Sequence, residues 1–109
     1  MNLLADHCVA ALTKKFRLEN IWYLNARTTP GCELPIENNL IVVVADTEDA
    51  LKVQDDVNAN LRGMALESEL GVHVFPASVI RTWPRPMLVK MAFSHGEPLF
   101  QYHPERAAA

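Results

Sequence analysis

The stretch Leu40-Ile41-Val42-Val43-Val44-Ala45 decides how this chain folds. It is an unbroken apolar run rich in β-branched residues, with Asn38-Asn39 before it and Asp46-Thr47 after it. A run this short between polar turn formers predicts a strand rather than a helix. Nothing in it alternates, so both faces should be buried, which makes it the central strand of a covered sheet. Any chemistry belongs where that strand begins, at Glu37, Asn38 and Asn39, which offer one acid and two amides.

Downstream, Asp46-Thr47-Glu48-Asp49 is a helix start, a polar cap with acids expected in the first turn. Ala50, Val53, Val57, Leu61, Met64 and Ala65 then recur by threes and fours. This predicts one helix from Ala50 to Leu70, weakened at Gly63 and ended by Gly71. Val72 to Phe75 is a third strand stopped by Pro76, and His73 alternates with Val72 and Val74, so it faces away from them. Strand, helix, strand is a βαβ unit with its two strands parallel. A short helical turn over Val79 and Ile80 follows, cut off by Pro84 and Pro86, with Trp83 between packed stretches. Met87 to Ser94 is a last helix with Gly96 as its stop, and Leu99-Phe100 is an extended apolar end.

Upstream, the segment Asn2 to Arg17 carries Leu3, Leu4, Cys8, Ala11, Leu12 and Phe16 at helical spacing, an amphipathic helix with one buried stripe. His7 reads as an ordinary helix histidine, because no partner stands at ligand spacing. Ile21 to Leu24 is a first strand, and Asn25 to Asn39 a long connection punctuated by Pro30-Gly31 and Pro35. Cys32 lies in that connection as a spectator thiol expected near the surface.

The fold class expected is therefore α/β (α+β): a mixed β-sheet of three to four strands with flanking helices. It forms one domain over residues 1–102, with 103–109 as a disordered tail. At 109 residues the chain can bury a sizeable core. A net charge of −3 and the absence of a large lysine-arginine cluster argue against direct nucleic-acid binding. Two cysteines without a CxxC make the cytoplasm the default location. No apolar run approaches a membrane span, and no signal-peptide pattern opens the chain.

The order of these elements, with Glu37 before the second strand and His95-Gly96-Glu97-Pro98-Leu99-Phe100 near the end, resembles the minimal nucleotidyltransferases of the DNA polymerase beta superfamily. The likeness runs from about Ala5 to Phe100. In that family a Gly-Ser pair closes the first strand, an Asp-x-Asp opens the second, and a third Asp sits on the next. The Gly-Ser pair, which binds nucleotide phosphate, corresponds here to Leu24-Asn25. The paired acids correspond to Glu37 and Asn39, and the third to His73. Gly lets backbone approach a phosphate, an approach that Leu24 closes.

Two-metal nucleotidyl transfer holds Mg²⁺ on charged oxygens. Glu37, Asn39 and His73 supply one carboxylate, one amide and one imidazole, a set better suited to softer ions than to magnesium. The resemblance thus implies the fold without the chemistry, and no metal ligands or cofactor are assigned. It also implies a partner, since such domains commonly pair with an all-helical HEPN-type protein in toxin–antitoxin-like pairs. The first expectation is an interaction module of this antitoxin-like kind; homo-oligomerisation stays open. The alternatives are an active Mg²⁺-dependent nucleotidyltransferase acting on a protein or small-molecule acceptor, a nucleotide or metal sensor that binds through Asn25, Glu37 and His73, and a small α/β domain of another lineage.

Overall fold

The computed structural model describes residues 3–102. Asn2, expected at the start of the first helix, and the tail expected over 103–109 lie outside the described residues. The central run forms strand β2, Asn38–Val44, buried from Asn39 to Val44. On one side it pairs antiparallel with β1, Leu18–Asn25, with Leu24 opposite Asn39 and Asn25 opposite Asn38. On the other it pairs parallel with β3, Gly71–Pro76, with Asn39 opposite Gly71 and Ile41 opposite His73. The expected apolar end is a fourth strand, β4, Glu97–Gln101, antiparallel to β1. The result is a four-stranded mixed sheet in the order β3-β2-β1-β4.

The run does not alternate because each face of β2 meets its own apolar layer. Leu40, Val42 and Val44 pack with Val53, Val57 and Leu61 of helix α2, Ala50–Gly63, and with Ala5 and Leu12 of helix α1, Leu3–Lys15. Ile41 and Val43 pack with Trp22 and Leu24 of β1 and with Val89 and Ala92 of helix α4, Met87–His95. A short helix α3, Ser78–Arg81, joins β3 to this second layer. Among the described residues no helix is long and apolar enough to cross a membrane.

Several expectations shift at the level of single elements. The stripe of α1 runs through Ala5 and Leu12, with Leu4, Cys8, Val9 and Phe16 beside it, whereas Leu3 is 85% exposed and Ala11 is also exposed. At about 100° per residue, Leu3 and Ala11 point well away from Ala5, and the methyl of Ala5 lets the helix lie close on the sheet. Asp49 stands at the N-cap of α2, where its carboxylate accepts from the Leu51 and Lys52 N–H groups at 3.1 and 3.3 Å. The first turn itself carries no acid.

The same helix stops at Gly63, well short of Leu70. Ala65 adopts a left-handed conformation at φ 56°. The Leu66 N–H donates to the Leu61 carbonyl at 2.8 Å and the Ala65 N–H to the Arg62 carbonyl at 3.0 Å. This is a Schellman stop with alanine where glycine is usual. Met64 and Ala65 continue the helical spacing in sequence but are exposed. Gly71 ends no helix; it begins β3. Cys32 is half-buried against the Ile41–Val43 layer rather than at the surface. Trp83, between packed stretches as expected from the sequence, is itself 78% exposed.

Candidate functional site

The end of the sheet where β1 finishes and β2 and β3 begin gathers Leu24, Asn25, Glu37, Asn39 and His73. The register accounts for this: Leu24 lies across from Asn39, and Asn39 across from Gly71, two residues before His73. The side chains divide into two groups.

The first group points into the protein, with Leu24 and Asn39 buried and His73 half-buried. Leu24, Asn39 and His73 share the face of Ile41 and Val43, since paired residues on neighbouring strands point to the same side and alternate along each strand. Asn39 is 1% exposed. Its Nδ2 donates to the Ile36 carbonyl at 2.8 Å and to the Glu37 carbonyl at 3.2 Å, which fixes the amide so that Oδ1 faces His73. Oδ1 lies 3.1 Å from His73 Nε2. An oxygen can only accept, so this bond assigns the proton to Nε2. Burial pushes the His73 pKa below its ordinary value, in keeping with a neutral ring. A Cβ placed on Gly71 would collide with Asn39 Oδ1 and come within 3.2 Å of His73 Nε2. Glycine is needed at position 71 because the amide and the imidazole fill the space a side chain would take. Asn39, His73 and Gly71 form a polar bracket between β2 and β3.

The second group faces solvent. Asn25 closes an Asx turn, its Oδ1 accepting from the Arg27 and Thr28 N–H groups at 2.9 and 3.3 Å. Its Nδ2 donates to Glu37 Oε2 at 3.2 Å. Glu37 Oε1 meets the Arg27 guanidinium at 3.1 Å. The Glu37 main-chain carbonyl joins the two groups, accepting from the Ala26 N–H at 2.8 Å as well as from Asn39. Tyr23 and Asn38 add a side-chain hydrogen bond from the Tyr23 hydroxyl to Asn38 Oδ1.

This arrangement does not fit a pair of magnesium ions. Magnesium requires an octahedron of hard oxygens. The Glu37 carboxylate is engaged by a cation and an amide, the Asn39 oxygen is turned into the protein toward an N–H, and a half-buried neutral imidazole is a poor magnesium ligand. Among the described residues no three His, Cys, Asp or Glu side chains are grouped so as to hold a metal ion. Where the resemblance would put a phosphate-binding glycine, Leu24 is buried in the apolar layer.

Arg27, Gly71 and Gln54 are the participants that sequence reasoning passed over. Gly71 carried a readable signal, a glycine ahead of a β-branched run, which marks a close approach as well as a helix stop. Gln54, on α2, donates from Nε2 to the Val72 carbonyl at 2.8 Å and accepts at Oε1 from the Val74 N–H at 2.8 Å. Its spacing in the helix gave no hint of that bond. Comparison with protein-family models, with curated proteins and with solved structures finds no match to this chain.

Proposed function

We propose that this α/β chain is a nucleotidyltransferase-like domain that no longer transfers nucleotides and serves in the cytoplasm as an interaction module. Its partner would be an all-helical HEPN-type protein, in an antitoxin-like role. One observation carries the first half of this reading. The positions that correspond to the family's three acids hold a structural bracket and a surface ion pair in place of a metal cradle. A buried amide locked between two carbonyls and an imidazole holds strands together, and its oxygen is enclosed and turned toward the imidazole N–H. The binding half is supported by the resemblance and by apolar side chains exposed on the α4 side of the sheet, Trp83, Met87 and Phe93. Such exposed apolar groups, when clustered, mark contact surfaces.

The test is incubation with labelled nucleotides, Mg²⁺ or Mn²⁺, and a candidate helical partner. The domain leaves no label on the partner or on itself. Labelling that Glu37→Ala abolishes would establish the active transferase instead. The combined variant Glu37→Asp, Asn39→Asp and His73→Asp gains Mg²⁺ affinity relative to the natural chain, since three carboxylates restore the charge the ion requires. Leu24 still obstructs the phosphates in that variant.

A further inference from the structure

From Leu70 to Gly96 the chain has no aspartate or glutamate but carries Arg81, Arg85 and Lys90, although the whole chain is at −3. Arg81 is paired with Asp46 at 2.9 Å. Arg85 and Lys90 make no ion pair among the described residues. Both lie over aromatic rings instead. The Arg85 guanidinium is 4.4 Å from the Phe93 ring centre and 5.9 Å from that of Trp83, and Lys90 Nζ is 6.0 Å from the Trp83 ring. Arg85 is held in place by donating from Nε and Nη2 to the Ile80 carbonyl at 3.1 and 3.0 Å. Phe93 in turn lies against Trp22, with ring centres 4.8 Å apart. A stack of rings and cations thus runs from a core tryptophan on β1 out to Trp83 on the surface. Met87, 64% exposed, stands on the same helix as Lys90 and Phe93. Met87 and Lys90 also line a shallow concavity between α4 and the Pro30–Gly31 turn.

We infer that the face of Trp83, Arg85, Met87, Lys90 and Phe93 is a docking surface for an acidic amphipathic helix of a partner protein. The inference rests on the reading of the domain as an interaction module and locates the contact. Each part of the face selects for this occupant. Exposed tryptophan, phenylalanine and methionine give an adaptable apolar floor of the kind that receives the apolar stripe of a helix. Arg85 and Lys90, cationic and without carboxylate partners among the described residues, select glutamates and aspartates beside that stripe. The chain as a whole is acidic, but the exposed apolar face has the opposite sign, so the docking element is acidic. The same acidity opposes a nucleic-acid strand, and both cations already lie against the Trp83 ring, where a base would have to stack.

The two tryptophans make the test direct, because Trp22 is buried and Trp83 is exposed. Acrylamide quenching of the full chain then reports chiefly on Trp83. The probes are a synthetic amphipathic helical peptide with leucine on one face and glutamate on the other, its lysine counterpart, and single-stranded oligouridylate. The glutamate peptide lowers the quenching slope at least twofold and the lysine peptide leaves it unchanged. Lys90→Glu, at an exposed position, weakens the effect by about threefold to fivefold, the scale of a partly exposed ion pair. Arg85→Glu weakens it too, with the fold checked by circular dichroism. Failure of the glutamate peptide to shield Trp83 overturns the inference, as does equal shielding in Lys90→Glu, or shielding by oligouridylate alone. These outcomes are separable from failure of the inactive-domain reading, which shows as nucleotide transfer and leaves the quenching result standing.

Discussion

At the scale of single residues, the positions that would carry chemistry hold the sheet together. Asn39, fully enclosed, bonds two carbonyls and an imidazole, and Gly71 leaves the room for it. His73 gives this a measurable consequence. Its folded pKa lies below the ordinary 6.5 because burial disfavours the charged ring. Well above 6.5 the ring is neutral in both states and the bracket contributes fully. As pH falls below that value the unfolded chain takes up the proton first, so stability falls with pH from there down to the folded pKa. Denaturant unfolding across this window will show the decline, and His73→Gln, which cannot titrate, will reduce its slope. An equal slope in the variant would mean that His73 is not the group responsible. Sequence reasoning set Asn39 and His73 together only through the resemblance, and the strand register is what places them side by side. That reasoning did not foresee their hydrogen bond, since pairing of side chains depends on which face each takes at a strand end.

At the scale of elements, the strands were legible and the helix ends were not. A short, β-branched apolar run with polar flanks favours a buried strand over a helix, and β2 is buried throughout its apolar length. The stop of α2 was hidden because the left-handed residue is Ala65, while Gly63 falls inside the last turn. Periodicity alone carried the helix on through Met64. The free edge of β3 depends on a residue that no pattern marks. Gln54 takes the Val72 carbonyl and the Val74 N–H as a neighbouring strand would, and closes an edge otherwise open to another chain. Gln54→Leu will lower stability by about 1–2 kcal/mol, the scale of unmade hydrogen bonds. It will also produce concentration-dependent self-association in sedimentation velocity. A variant that stays monomeric and as stable as the natural chain would show that the edge needs no guard.

At the scale of the whole molecule, two apolar layers on a four-stranded sheet leave one end polar and one face aromatic and basic. The architecture was readable because helical and strand periods alternate cleanly along the chain. The α4 face was not, because tryptophan, phenylalanine and methionine read as core in any sequence, and only packing shows that Trp83 and Met87 are left outside. The central proposal is that the sheet end which the resemblance would make a nucleotidyltransferase site serves as a structural bracket and holds neither metal nor nucleotide. Titration calorimetry of the full chain with ATP and Mg²⁺ tests this most directly. The account predicts no saturable heat. Saturable binding that requires Mg²⁺ and disappears in Glu37→Ala would contradict it.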